Sequence, residues 1–298
     1  MTHGTAGDAT EETTNMDTDQ AESDLRRWML RNLDRAAELF GLIVTGEPQW
    51  GWWLRSISAP ARGPDGACWL RVGAEHERWV TDARVSDFWI GISDSAAITG
   101  VSKPIVLHST EWAEPDRRRR VRADVMALLP GRPCSPTDVL RSAPDLPDAW
   151  WTDLRRSLDA LRSHPTTRFA ERGQSGDRVR DMLGIELHID QFETVHGDLH
   201  WNNVLGPEFG LLDWEMWGRG PAGMDAASLY LHALLVPDIA GRVHNMFADV
   251  LDSPAGRAAQ IHVAAAVLDR ARREPDYADL ANVLREHVRP LMDTAVQN

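Results

Sequence analysis

The chain has 298 residues, 43% of them hydrophobic, a formal net charge of −13 and two cysteines. The length suits one large domain or two small ones, the apolar fraction is enough for a buried core, and no run reaches the ~18 apolar residues of a membrane span. Two cysteines give no disulfide framework and point to a reducing cytoplasm, and an acidic chain is poorly suited to nucleic acid as a main partner.

Residues 1–24 hold seven acids and no Lys or Arg; setting those seven apart from the 45 acids leaves 38 against 32 bases, so the rest is only mildly acidic. Residues 1–23 therefore read as a disordered acidic leader rather than a signal peptide. Residues 24–40 space Leu25, Trp28, Met29, Leu33, Ala36 and Phe40 for one face of a helix, with Gly41 as its stop. Residues 42–75 are rich in Trp, Val and Ile and broken by Gly and Pro, which predicts about three antiparallel strands. A short helix fits 82–97. "KPIVLHSTEW" and "RVRADVMALLPG" then form a hairpin, with Arg117–Arg120 as its solvated tip. Lys103 is the single lysine of the chain.

After "LLPGRPCSP" the pattern changes. Ser135-Pro136-Thr137-Asp138 reads as a helix N-cap with Pro in the first turn. Residues 148–163 put Trp151, Leu154, Leu158 and Leu161 on one face, 177–183 is a further helix, and from about 225 onward the chain is helical. There is no internal repeat. A strand-rich half, 24–131, thus precedes a helix-rich half, 132–298, and a cleft between two such lobes is a natural place for a ligand.

The chemistry concentrates in "VHGDLHWNNVLGPEFGLLDWE", where Asp198 is followed by Asn203 and Asp213. A dimetal phosphoesterase could use His196, Asp198 and His200, but needs further carboxylate and histidine ligands that the neighbourhood does not supply. Asp198 and Asn203 could instead merely organise a tight loop. Phosphoryl transfer needs a carboxylate to orient an acceptor hydroxyl, an amide oxygen for a magnesium ion, and an acid bridging metal and phosphates. Asp198, Asn203 and Asp213 supply that set in order.

The three elements "VHGDLHWNNVL", "GLLDWE" and "GPAGMDAASL" resemble the catalytic segment of the aminoglycoside phosphotransferase and choline kinase-like small-molecule kinases. The resemblance implies an α+β, two-lobed, protein kinase-like fold: an N-lobe of antiparallel sheet with few helices (24–131, nucleotide-binding) and a mostly helical C-lobe (132–298, catalytic and acceptor-binding). It implies Asp198 as catalytic base, Asn203 and Asp213 as magnesium ligands that also bind the nucleotide, and Asp225 as a support beneath the loop. His196 then structures the loop.

The pattern departs at two places. The strand position that carries a phosphate-binding lysine in such kinases is Arg71 here, in "ACWLRVGAE", and Lys103 is poorly placed to replace it. Arginine keeps the charge but changes reach and geometry. Arg71 is either a phosphate clamp or a solvent-facing strand residue; its acidic partner is open among Glu75, Glu77 and Asp87. No Gly-x-Gly-x-x-Gly exists, Gly51 standing alone among tryptophans. Adenine is expected against the connector, at Met126, Leu128 and Leu129, with Met126 also serving the core. Glu215, Trp217 and Arg219 either line the acceptor side or form a solvated loop. The resulting expectation is a cytoplasmic, magnesium-dependent O-phosphotransferase, monomeric or weakly dimeric. It uses ATP or GTP on a hydroxyl of an antibiotic, sugar or amino alcohol. A non-catalytic nucleotide-binding relative is the alternative, motivated by Arg71 and the missing glycine loop.

Overall fold

The computed structural model describes residues 8–296. The chain divides into two compact units, one comprising residues up to Asp82 with Ile105–Leu128, the other Ala83–Pro104 with Leu129 onward.

The first unit is built on one antiparallel sheet. Its strands lie in the order Ile43–Val44, Ser56–Gly63, Gly66–His76, Arg119–Ala127 and Val106–Glu114, and Gln49–Trp50 pairs with Ser56–Gly63. Side chains alternate across a strand, and the register Leu70↔Val125, Val72↔Ala123 and Ala74↔Val121 puts six buried apolar residues on one face. The helix Asp8–Phe40 contributes Trp28, Met29, Leu33, Ala36 and Ala37 to the same core, at the spacing a helix needs for one buried stripe. Burying a side chain such as Met29 or Leu33 contributes about 1.5–3 kcal/mol. This helix begins well before residue 24, so 8–23 of the expected leader is helical, and residues 1–7 lie outside the described residues. At the hairpin tip, the turn Pro115–Arg117 and the left-handed Arg118 (φ 50°) reverse the chain. Arg119 and Arg120 already belong to the returning strand, where Arg120 pairs with Glu111 at 3.0 Å.

The second unit is mostly helical: Asp148–Arg162, Asp177–Leu183, Met224–Leu231, Pro237–Met246, Pro254–Ala271 and Ala278–Val296. Two small sheets frame the motif segment. Gly210–Leu211, Val204–Gly206 and Arg132–Pro133 form one, and Gly218–Pro221 with Phe192–Val195 the other. The expected helix start at Ser135 is absent. Ser135 Oγ and Thr137 Oγ1 both donate to the Val139 carbonyl, at 3.0 and 3.1 Å, and Leu140 N donates to His232 O at 2.9 Å. These local hydroxyl–backbone bonds compete with helix formation, and the helix opens at Asp148 instead.

The helix Ala83–Asp94, read from sequence as part of the first half, belongs to the second unit. Arg168 pairs with Asp94 at 2.9 Å, Phe169 N donates to Asp87 Oδ2 at 2.7 Å, and Trp217 Nε1 donates to Gly91 O at 2.8 Å. A side chain at Gly91 would come within 2.5 Å of the Glu215 carbonyl, so only glycine allows this approach. Amphipathic spacing announces a helix but not which core it serves. Among the described residues no helix is long and apolar enough to cross a membrane.

Candidate active site

The motif loop is held from below by apolar anchors. Leu199 and Trp201 are fully buried between its polar residues, and Trp201 Nε1 donates to Leu229 O at 3.0 Å. Trp150 Nε1 donates to Leu205 O at 2.6 Å, and Trp214 Nε1 to Leu211 O at 2.9 Å. The indoles of Trp150 and Trp214 each tie one carbonyl of the motif segment to the core, and that of Trp201 ties the loop to the helix Met224–Leu231, which suits a side chain with a large apolar body and one donor. The backbone completes the frame: Asn203 N donates to His200 O at 3.0 Å, and Leu212 N to Asn203 O at 2.8 Å. Asn203 and Asp213 therefore stand on adjoining backbone segments. Asp213 itself adopts a left-handed conformation, φ 57°, tolerated by Asp better than by most residues.

Asp225, in the first turn of Met224–Leu231, accepts the main-chain N–H of His196 at 2.6 Å and of Gly197 at 3.1 Å. Burial pushes its pKa up to about 6, against the lowering by those two N–H groups and Arg172. Gly197 has φ 83°, and a Cβ there would meet the Arg172 guanidinium and approach Met216 O to 2.5 Å. Arg172 donates to that same Met216 carbonyl, and burial lowers its pKa to about 10. His196 is fully buried, with Nε2 2.7 Å from Leu212 O and its ring edge-on to Trp214. Burial depresses its pKa, which favours the neutral ring.

Asp198 lies at the opening of the loop with its side chain one-third exposed. Burial raises its pKa, but the imidazole of His200 and the charge of Arg270 outweigh that and hold the carboxyl below the usual range. Asn203 Nδ2 donates to the Asp198 carbonyl at 2.9 Å and lies 3.2 Å from His200 Nε2. Its amide nitrogen is thus committed to the loop, leaving the Oδ1 oxygen for a ligand. His200, 6% exposed, has Nε2 3.6 Å from Asp198 Oδ2 and 3.3 Å from Asp138 Oδ1. Asp138 accepts from Arg270 at 2.8 Å and from the Tyr277 hydroxyl. Burial lowers the His200 pKa, but Asp198 and Asp138 overcome it and raise it. Asp138, Arg270 and Tyr277 were not legible as site residues, because 138, 270 and 277 meet only through the fold.

In the first unit, Arg71 stands opposite Asp124 in register, and Trp69 opposite Met126, so Arg71 and Met126 share one face of the sheet. That face is the one opposite the helix-covered core. None of the three acids offered as a partner is adjacent in register. Glu75 is ion-paired to Arg55, Glu77 is exposed in a short helix, and Asp87 belongs to the second unit. Asp124 is buried and accepts from Ser109 Oγ at 2.7 Å and Arg122 Nε at 3.0 Å. Met126 is buried and Leu128 exposed at the end of the first unit, and Leu129 is half-buried at the start of the second. Lys103 is buried in the second unit, its ammonium 5.9 Å over the Trp214 ring. Trp217 is a core residue rather than a lining one, and Arg219 stacks on Phe192 at 3.6 Å and donates to Ala170 O at 2.9 Å.

Among the described residues no group of three or more His, Cys, Asp and Glu is arranged to hold a metal. With His196 turned onto a carbonyl, the dimetal phosphoesterase set is not assembled. Asn203 and Asp213 offer hard oxygen donors, the kind that magnesium takes together with nucleotide phosphates and water. The donor set fits that ion and not a dedicated zinc cage.

A model of the phosphotransferase enzyme family matches residues 107–259. No curated protein sequence matches the chain. Solved structures of similar fold include a thermostable mutant of aminoglycoside phosphotransferase APH(4)-Ia in ternary complex with AMP-PNP and hygromycin B. It is 12% identical, with a TM-score of 0.56 over 87% of this chain and 97% of that one. The amicoumacin kinase hAmiN, in complex with AMP-PNP, Ca2+ and its ligand, is 13% identical, with a TM-score of 0.51 over 87% and 92%. A choline/ethanolamine kinase family protein from Mesorhizobium loti is 17% identical, with a TM-score of 0.51 over 87% and 94%. These likenesses share the expected two-part fold, sheet-rich first and helical second. The family match spans just over half of the 298 residues and includes the whole motif loop, and the chain belongs to the phosphotransferase enzyme family.

Proposed function

We propose that the protein transfers the γ-phosphoryl group of ATP, or GTP, to a hydroxyl of a small molecule. The acceptor class is a hydroxylated antibiotic such as an aminoglycoside, a sugar or an amino alcohol. The observation that carries this reading is the disposition of Asn203. Its amide nitrogen fixes the Asp198 carbonyl at 2.9 Å, its main-chain oxygen fixes the segment leading to Asp213, and its Oδ1 is left for a ligand.

Asp198 orients the acceptor hydroxyl and takes its proton. A carboxyl held below the usual range is a weak base, which suits a loose transition state in which the proton leaves late and positioning dominates. Asn203 and Asp213 hold magnesium, which when bound neutralises charge on the phosphates. Asp225 fixes the loop by taking the His196 and Gly197 N–H groups. On the first unit, Arg71 grips phosphate and Met126 and Leu128 receive the adenine, a role supported by the shared face of Arg71 and Met126; Leu129, the next residue along the connector, has the same role. The protein works in the cytoplasm, as a monomer or weak homodimer.

The test incubates purified protein with ATP or GTP, magnesium and a panel that includes hygromycin B, other aminoglycosides, sugars, choline and ethanolamine. Nucleotide consumption with the gain of one phosphoryl group on an acceptor is expected. Consumption that is unaffected by Asp198→Asn would sink the reading.

A further inference from the structure

The base of this site does not stand alone. Asp198 Oδ2 faces His200 Nε2 at 3.6 Å, and the same nitrogen is 3.3 Å from Asp138 Oδ1. Asp138 is in turn fixed by Arg270 of the helix Pro254–Ala271, at 2.8 Å, and by the hydroxyl of Tyr277, in the short turn Pro275–Tyr277, which also receives Arg270 at 2.8 Å. His200 is buried, and its other ring nitrogen, Nδ1, has no hydrogen-bond partner. Nε2 faces two carboxylates, which only accept, and also lies 3.2 Å from the Asn203 amide nitrogen; a hydrogen on Nε2 serves the two carboxylates.

We propose that His200 is a positioning residue for the base, tethering Asp198 Oδ2 to an anchor made of Asp138, Arg270 and Tyr277, so that the other carboxylate oxygen stays turned to the acceptor. The inference rests on the proposed role of Asp198. Asn203 fixes the main chain of Asp198 at 2.9 Å, but the side chain still turns about its own bonds. A functional group needs both constraints, since catalytic side chains locked by a supporting shell keep the reacting geometry. The anchor explains why a histidine, an aspartate, an arginine and a tyrosine from residues 138 to 277 gather under a loop that the motif residues alone would complete. It also predicts a division of labour: His200 should affect the chemical step and leave nucleotide binding to Asn203, Asp213 and the first unit.

The test uses the full chain with magnesium–ATP as probe, reading binding, phosphate release to water and the nitrogen-15 resonance of the His200 imidazole. His200→Ala should bind magnesium–ATP within about threefold of wild type yet release phosphate about 10- to 100-fold more slowly, the scale of a small misplacement of a reacting group. His200→Gln, whose amide N–H can reach the same carboxylates, should recover most of the rate. In an Asp198→Asn background, His200→Ala should cost nothing further. A loss of the same factor in both backgrounds, or a parallel loss of nucleotide binding and melting temperature that His200→Gln does not repair, overturns the inference. If Asp198→Asn alone releases phosphate as wild type does, the phosphotransfer reading fails instead. The tether is then judged by the imidazole resonance, which must move on both Asp138→Asn and Asp198→Asn. No movement in either overturns it.

Discussion

The carboxylate of Asp225 takes the main-chain N–H groups of two successive residues, His196 and Gly197, at 2.6 and 3.1 Å. One side chain on a helix start therefore sets the path of the chain immediately before Asp198. Asp225→Ala leaves two buried donors unpaired, at about 1–3 kcal/mol each, and should lower both stability and turnover. The linkage has a definite sign. Burial raises the Asp225 pKa from 3.8 to about 6, so its contribution is full below pH 3.8 and is lost as pH rises through about 6. Urea titrations should show wild type losing stability relative to Asp225→Asn between about pH 4 and pH 6. A constant difference across that window would mean that Asp225 does not titrate there.

Asp198→Asn is nearly isosteric but cannot accept the acceptor proton. General-base contributions reach about 10²–10⁴-fold, so turnover should fall at least a hundredfold while magnesium–ATP affinity changes by less than about tenfold. Asp213→Asn should instead lose metal-dependent nucleotide binding together with turnover. Calorimetry on the two variants side by side distinguishes the roles. A nucleotide-binding loss confined to Asp198→Asn would reverse the assignments.

Metal dependence gives a third expectation. Asn203 and Asp213 are hard oxygen donors of the kind that magnesium takes together with nucleotide phosphates. ATP with magnesium should therefore raise the melting temperature more than ATP with a chelator. Stoichiometric zinc or iron in the purified protein would revive the hydrolase reading.

Arg71 is half-buried on the same sheet face as Met126. If it grips phosphate, Arg71→Ala should weaken ATP binding while adenosine binding stays nearly unchanged. Equal loss for both ligands, or for neither, places Arg71 outside the site.

Much of the candidate site could be read along the chain because its parts are local. Asp198, Asn203 and Asp213 fall within sixteen residues, and the family resemblance carried by "GPAGMDAASL" implied Asp225 as a support. The helical spacing of Trp28, Met29 and Leu33 likewise follows from periodicity, which needs no knowledge of the partner surface. What tertiary structure alone decided are the pairings across long separations. Asp138 meets His200, Arg270 and Tyr277, and Gly91 receives Trp217. The helix Ala83–Asp94 joins the second unit, and Asp124 stands across from Arg71. Ser135, a convincing helix cap by residue type, spends its hydroxyl on Val139 instead. In each case several partners were chemically acceptable, and the choice among them was made by which surfaces each unit's own packing brings within reach.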